Sequence, residues 1–184
     1  MNREEALQLL KQNLSNANLQ KHSFAVEAIM RALAKRFEQD EEIWALAGLL
    51  HDIDYEKTKG DPLTHSKVGA EMLRELGLNE EMVEAVRTHN EAHGIEPQSL
   101  MAKALFVCDP ISGLIVASTL VLPSKKISDL TAQNVLNRFK EKAFARGANR
   151  EIIQKCEELL GLSLEEFTDI ALKAMKGISD ELKL

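Results

Sequence analysis

Apolar residues in this chain recur at intervals of three and four, the period of helices that bury one face. The chain has five histidines, His22, His51, His65, His89 and His93, and four of them fall on such stripes or at the ends of the helices they define. An imidazole costs free energy to bury unless its ring nitrogens find partners. Several histidines facing one interior therefore imply a polar object there, and a metal ion is the simplest.

The expected fold class is all-α, a compact multi-helix bundle. Its 184 residues suffice for one domain with a buried core, aromatics are only 4%, and the many Ala, Leu, Glu and Lys residues are helix formers. Turn and cap signals cut the chain into about eight to ten helical segments joined by short linkers. The first helix is expected over residues 3–14, and Asn16 or Asn18 caps a second that reaches Phe37. Asp40 caps a third, EEIWALAGLLHD, which is apolar on nearly every face and therefore central.

The stretch IDYEKTKGDPLT then reads as a loop, followed by helices over 63–76 and 80–93 with Gly77, Asn79, Gly94 and Pro97 as punctuation. A helix from Ser99 to 108 or 109 meets Pro110, which is expected to kink or break it. The apolar run ISGLIVASTLVL reads as core. Two more helices, about 149–160 and 163–176, complete a single domain (1–184). Its metal-binding core is expected over 18–120 and a C-terminal helical cap over 121–184.

The net charge of −6 offers no wide footprint for nucleic acid, so a small phosphorylated substrate is a better-matched partner than extended nucleic acid. Cys108 and Cys156 have no CxxC partner, which argues against a thiolate zinc site and leaves two buried thiols. The opening MNREEALQLLKQNL lacks the unbroken apolar core of a signal peptide, and no stretch is read as long enough to span a bilayer. No membrane partner and a cytoplasmic location are therefore expected.

Periodicity sorts the candidate ligands. His22 leads the stripe of Val26, Ile29, Leu33 and Phe37; His65 aligns with Gly69, Met72 and Leu76; Met82, Val86, His89 and His93 form a third line; Ala102, Leu105 and Asp109 form a fourth. Gly69 would let another backbone approach closely. Neighbouring residues project about 100° apart on a helix, so His51 and Asp52 can reach one ion only where their helix ends, as it does here. So much nitrogen suits a transition metal better than calcium.

The series His22, LAGLLHDID with His51 and Asp52, His65, His89, and LFVCDPISGL with Asp109 resembles the HD-domain metal-dependent phosphohydrolases, specifically the small HDIG-type members, over roughly residues 18–120. The resemblance implies that His22, His51, Asp52 and Asp109 ligate a principal metal. It further implies that His65 and His89 hold a second ion bridged by Asp52. Iron, manganese, zinc, cobalt, nickel or magnesium would serve as one or two divalent ions. The implied activity is hydrolysis of a nucleotide or other small phosphate ester by a metal-activated water. The same fold also implies two alternatives, a di-iron oxygenase and a non-catalytic regulatory module that binds metal or nucleotide.

HDIG here reads His51, Asp52, Ile53, Asp54, and Tyr55 stands where a lysine is common. His89 is followed by Asn90 where cyclic-dinucleotide enzymes carry paired histidines, and no GYP-type element follows; all of this points away from that substrate. Besides Asp52, Asp54 and Glu56 are candidate catalytic groups that would orient water or protonate the leaving alkoxide, or else are solvated loop charges. Lys57 and His93 are candidate substrate-binding groups.

Overall fold

The computed structural model describes residues 1–184 and consists of helices and turns, without strands. Polar caps begin most helices, because the first N–H groups of a helix lack partners of their own. Asn2 and Glu5 form a reciprocal capping box on α1 (Arg3–Asn13). The Asn16 side chain caps α2 (Ala17–Arg36), and Asp40 caps α3 (Glu41–Leu50) by accepting from the Glu42 and Ile43 N–H groups.

α2 and α3 make the central pair. Val26, Ile29 and Leu33 of α2 and Trp44, Ala47 and Leu50 of α3 are all buried in one core where the two helices pack. Gly48 sets their separation, since a Cβ there would lie 2.8 Å from the Val26 carbonyl oxygen. The doublet at the end of α3 leads through a turn to α4 (Tyr55–Thr58), then to α5 (Lys67–Glu75) and α6 (Glu80–Thr88). Asn79 caps α6, and a 3-10 turn at Glu91–His93 ends at Gly94 with φ 62°.

α7 (Leu100–Leu120), capped by Ser99, runs beside α2 and α6 with most of its length buried. Beyond it come α8 (Ala132–Phe139), α9 (Arg150–Gln154), α10 (Cys156–Leu160), α11 (Leu164–Lys176) and α12 (Ser179–Leu182). α11 packs on α2 and α8 and sends Phe167, Ala171 and Met175 into the same apolar core as α2 and α3. Cys108 and Cys156 are buried free thiols, and burial pushes the Cys156 thiol up to about 11.

Several expected boundaries move. Pro110 does not break α7. Its missing N–H costs about 3 kcal/mol, but burying flanking side chains such as Val107, Ile111 and Leu114 returns about 1.5–3 kcal/mol each. The continuous helix is thereby long and apolar enough to cross a membrane by length and composition, contrary to the expectation that no stretch would be. Most of it lies inside the fold, as suits a core helix. The helix expected over 63–76 starts only at Lys67, because Ser66 takes φ 68°. The helix expected over 80–93 stops at Thr88, and that over 149–160 divides at Lys155.

Candidate metal centre

Four imidazoles from four segments meet around one carboxylate. His22 projects from the core face of α2, His51 caps the C-terminus of α3, His65 lies in the turn before α5, and His89 caps α6. Asp52 divides its oxygens between them. Its Oδ2 lies 3.6 Å from His22 Nε2 and 3.5 Å from His51 Nε2, while its Oδ1 lies 3.2 Å from His65 Nε2 and 3.4 Å from His89 Nε2. Asp109 of α7 closes the first group with Oδ1 3.0 Å from His22 Nε2.

The opposite ring nitrogens are all engaged, which sets the tautomers. Nδ1–H of His51 donates to the Gly48 carbonyl at 2.8 Å and that of His89 to the Val86 carbonyl at 2.6 Å. The corresponding group of His22 donates to Ser112 Oγ at 3.0 Å, and that of His65 to Asp54 Oδ1 at 3.0 Å. Ser112 Oγ donates in turn to the Asp109 carbonyl, which frees its lone pair for His22. Each Nε2 is therefore left to face the carboxylates, donating to them where it is protonated and offering a lone pair once a metal displaces the proton, an arrangement that suits imidazoles binding a metal.

The donor set fits a divalent ion. His22, His51 and Asp52 form one group of mutually close ligand atoms, and Asp52, His65 and His89 form another. Metal bonds of about 2.0–2.2 Å place neighbouring ligand atoms about 3–3.5 Å apart, close to the separations here. His22 Nε2 and His51 Nε2 lie 3.2 Å apart, a spacing that a proton on His22 bridges in the metal-free protein and that two ligands of one cation also adopt. Without thiolates, and with imidazole mixed with carboxylate, the set suits transition ions.

Burial opposes charge throughout the cluster, and the partners decide which groups keep it. Burial lowers the His51 pKa to about 4, despite Asp52. For Asp52, burial is outweighed by His51 and the other surrounding imidazoles, which hold its carboxyl well below the usual range. For His65, burial is outweighed by Asp52 and Asp54, which raise it to about 10, and Asp109 outweighs burial to raise His22. Asp52 is thus an anion under all ordinary conditions.

Six residues expected as ligands thus converge, but the other expected site residues do not join them. Asp54 is fully buried. Its Oδ1 accepts from His65 and its Oδ2 accepts from the Ser66 N–H at 2.8 Å, so it orients His65 and stays out of the cleft lining. Gly69 admits this carboxylate, since a Cβ there would lie 3.1 Å from Asp54 Oδ1; the close neighbour is a side chain and not a backbone. Glu56 turns away to the start of α2, where it accepts from the Ser15 and Asn16 N–H groups at 2.9 and 2.8 Å.

Lys57 donates to Asn13 Oδ1 at 2.7 Å, outside the site. His93 lies behind the ligands and donates from Nε2 to the His65 carbonyl at 2.7 Å, bracing the turn that carries His65. It does not line the cleft. His65 is also not on a helical stripe, because the left-handed Ser66 separates it from α5.

Sequence reasoning missed Ser112, although its place one turn after Asp109 on α7 was a usable signal. It also missed Tyr55, which meets the His65 ring edge-on at 5.2 Å, and Glu91. Tyr55, Asn90 and Glu91 line a cleft of about 310 Å³ together with His22, Asp52 and Asp109. Neither lysine nor arginine lines it.

Comparison with known proteins agrees with this geometry. The HD domain family matches residues 19–114. An uncharacterized protein of Methanocaldococcus jannaschii is 42% identical over 91 residues, covering 47% of this chain and 52% of that protein. Ribonuclease Y of Lawsonia intracellularis is 29% identical over 138 residues, covering 73% of this chain and 26% of the enzyme. A tRNA (cytidine(56)-2'-O)-methyltransferase of Thermoplasma volcanium is 30% identical over 135 residues, covering 70% of this chain and 38% of the enzyme. The chain thus spans about half the length of the first relative and less of the others. No solved structure matches. With its helical fold, its histidine and aspartate cluster and this match over half its length, the chain belongs to the HD-domain superfamily of metal-dependent phosphohydrolases.

Proposed function

We infer that this protein hydrolyses the phosphate ester of a nucleotide or another small phosphorylated compound, using one or two divalent transition ions. The observation that carries this reading is the division of the Asp52 oxygens between two imidazole pairs. A divalent ion there would acidify a bound water toward neutral pH and offset charge on phosphoryl oxygens. The rest is work for the protein's own groups.

His22, His51 and Asp109 hold one side of the site, His65 and His89 the other, and the Nδ1 bonds keep each ring from rotating. Asp109, about one-third exposed, stands at the mouth, where a phosphate ester enters. With Asp54 and Glu56 engaged elsewhere, neither serves as a proton donor in this reading. A cytoplasmic location and a small phosphorylated partner belong to the same reading.

The test is phosphate release from a panel of nucleotides and phosphate esters, with Mn²⁺, Co²⁺, Ni²⁺, Zn²⁺ or Mg²⁺ added to metal-depleted protein. Asp52→Asn keeps the side-chain volume and should lower kcat/KM by about a hundredfold or more, with loss of bound metal. Release that is indifferent to metal or to Asp52→Asn would overturn the reading. So would oxygen consumption by iron-loaded protein without phosphate release.

A further inference from the structure

Next to the ligand cleft, and sharing His22, Glu91 and Asp109 with it, lies a second lobe of about 160 Å³. Its lining combines apolar Phe106, Pro110 and Ala148 with polar Glu91 and Asn149. The lobe joins α7 to the segment 147–149, which lies beyond the residues matched by the HD domain family. That wall is well braced. Arg150 donates to the carbonyls of Phe144, Ala145 and Ala148, Asn149 Oδ1 caps α9, and Asn149 Nδ2 donates to Glu91 Oε1 at 3.2 Å.

Two glycines line this lobe, and packing requires neither. Gly113 sits inside α7, where glycine costs about 1 kcal/mol relative to alanine. Its backbone is not left-handed, and a Cβ added to it meets nothing within 4 Å. Gly147 is equally unconstrained. What their missing side chains preserve is open space beside the ligand cluster. The charge of the walls restricts what can fill it, since neither lobe has a lysine or arginine, while Glu91 and Asp109 are both present.

We propose that the lobe bounded by Gly113, Gly147, Asn149 and Glu91 is the subsite for the non-phosphoryl part of the substrate. It takes an uncharged ring bearing hydroxyl or amine donors, such as the sugar or base of a nucleoside monophosphate. This rests on the hydrolase reading above, and it narrows the substrate to one phosphoryl group. That group is neutralised at the ligand cluster, and the ring lies on Phe106 and Pro110 with a donor to Glu91 Oε2. A second phosphate in the lobe would meet two carboxylates and no lysine or arginine in the lining, Lys155 lying over the Phe106 ring at 5.8 Å but outside that lining, which disfavours nucleoside triphosphates and polynucleotides.

Calorimetry on the metal-loaded protein tests this without turnover. The probes are inorganic phosphate, adenosine 5′-methylenephosphonate, adenosine triphosphate and a short oligoribonucleotide. Gly113→Leu should weaken the phosphonate about tenfold or more while the affinity for inorganic phosphate stays within about twofold. Gly113→Ala should have a smaller effect of the same kind, and both should unfold at or above the wild-type temperature, since both improve helix propensity.

The wild type should bind the triphosphate and the oligonucleotide about tenfold or more weakly than the phosphonate. Unchanged phosphonate affinity in Gly113→Leu, equal weakening of inorganic phosphate, or tighter binding of the triphosphate or oligonucleotide would each overturn the subsite alone. If inorganic phosphate does not bind and no ester is hydrolysed with dependence on Asp52, the hydrolase reading falls and takes the subsite with it.

Discussion

At the scale of single residues, the chemistry of this centre depends on groups that never touch a ligand. Asp54 illustrates this. Fully buried, it accepts from His65 Nδ1 and thereby turns His65 Nε2 toward Asp52. Outer partners of this kind typically change metal affinity by about 10–100-fold. Asp54→Ala should therefore weaken the ion shared by Asp52, His65 and His89 by that factor and spare the ion held with His22 and His51. Metal titration that still shows two equivalent high-affinity ions in the variant would count against this role. The positioning role of Asp54 escaped a reading from sequence because its position beside the doublet resembles that of a catalytic acid. Its two hydrogen bonds come from residues 11 and 12 positions away and hold it outside the cleft lining.

At the scale of elements, the centre depends on how closely α2 and α3 approach. His22 and His51 come from these two helices, and their Nε2 atoms lie 3.2 Å apart. Gly48 permits the approach, because a Cβ would lie 2.8 Å from the Val26 carbonyl and 2.9 Å from the Glu27 backbone. Backbone atoms cannot swing aside as a side chain can. Gly48→Ala should therefore cost about 1–3 kcal/mol, more than the roughly 1 kcal/mol of helix propensity that it gains. It should also weaken metal binding by moving His22 away from His51. A thermal midpoint at or above that of the wild type would refute the account.

Most helices were legible in the sequence, since Asn16, Asp40 and Asn79 each cap where their local chemistry predicts. The left-handed Ser66 and the continuity of α7 through Pro110 were not. Both are local costs offset by contacts from elsewhere, Asp54 and Arg87 for Ser66 and the surrounding core for α7.

At the scale of the whole molecule, the buried cluster ties folding to pH. In the metal-free protein, His51 titrates at about 4 when folded and at about 6.5 when unfolded. The unfolded chain therefore binds more protons between those values, and stability falls as pH drops from 6.5 toward 4, by on the order of 3 kcal/mol. His65 acts in the other window. Its folded value of about 10 makes its contribution complete below pH 6.5 and lost as pH rises through 10.

Metal-depleted protein should accordingly resist urea best near pH 6.5 and less well on either side. Added metal should extend the alkaline limb, because it needs the deprotonated Nε2 that high pH provides. Urea midpoints from pH 4 to 10 that are flat, or that rise steadily, would contradict this.

The helical class and the order of the elements follow from periodicity and caps within the chain, because those preferences act over three or four residues; the six candidate ligands follow from the family resemblance, since His65 lies on no helical stripe. Which oxygen of Asp52 each histidine faces does not follow from them. Nor does the withdrawal of Glu56 to the start of α2, 40 residues away, or of Lys57 to Asn13. The same is true of the lobe between α7 and the segment 147–149. These features depend on contacts between distant parts of the chain, where burial and competing hydrogen bonds choose among roles that the residue types alone leave equal.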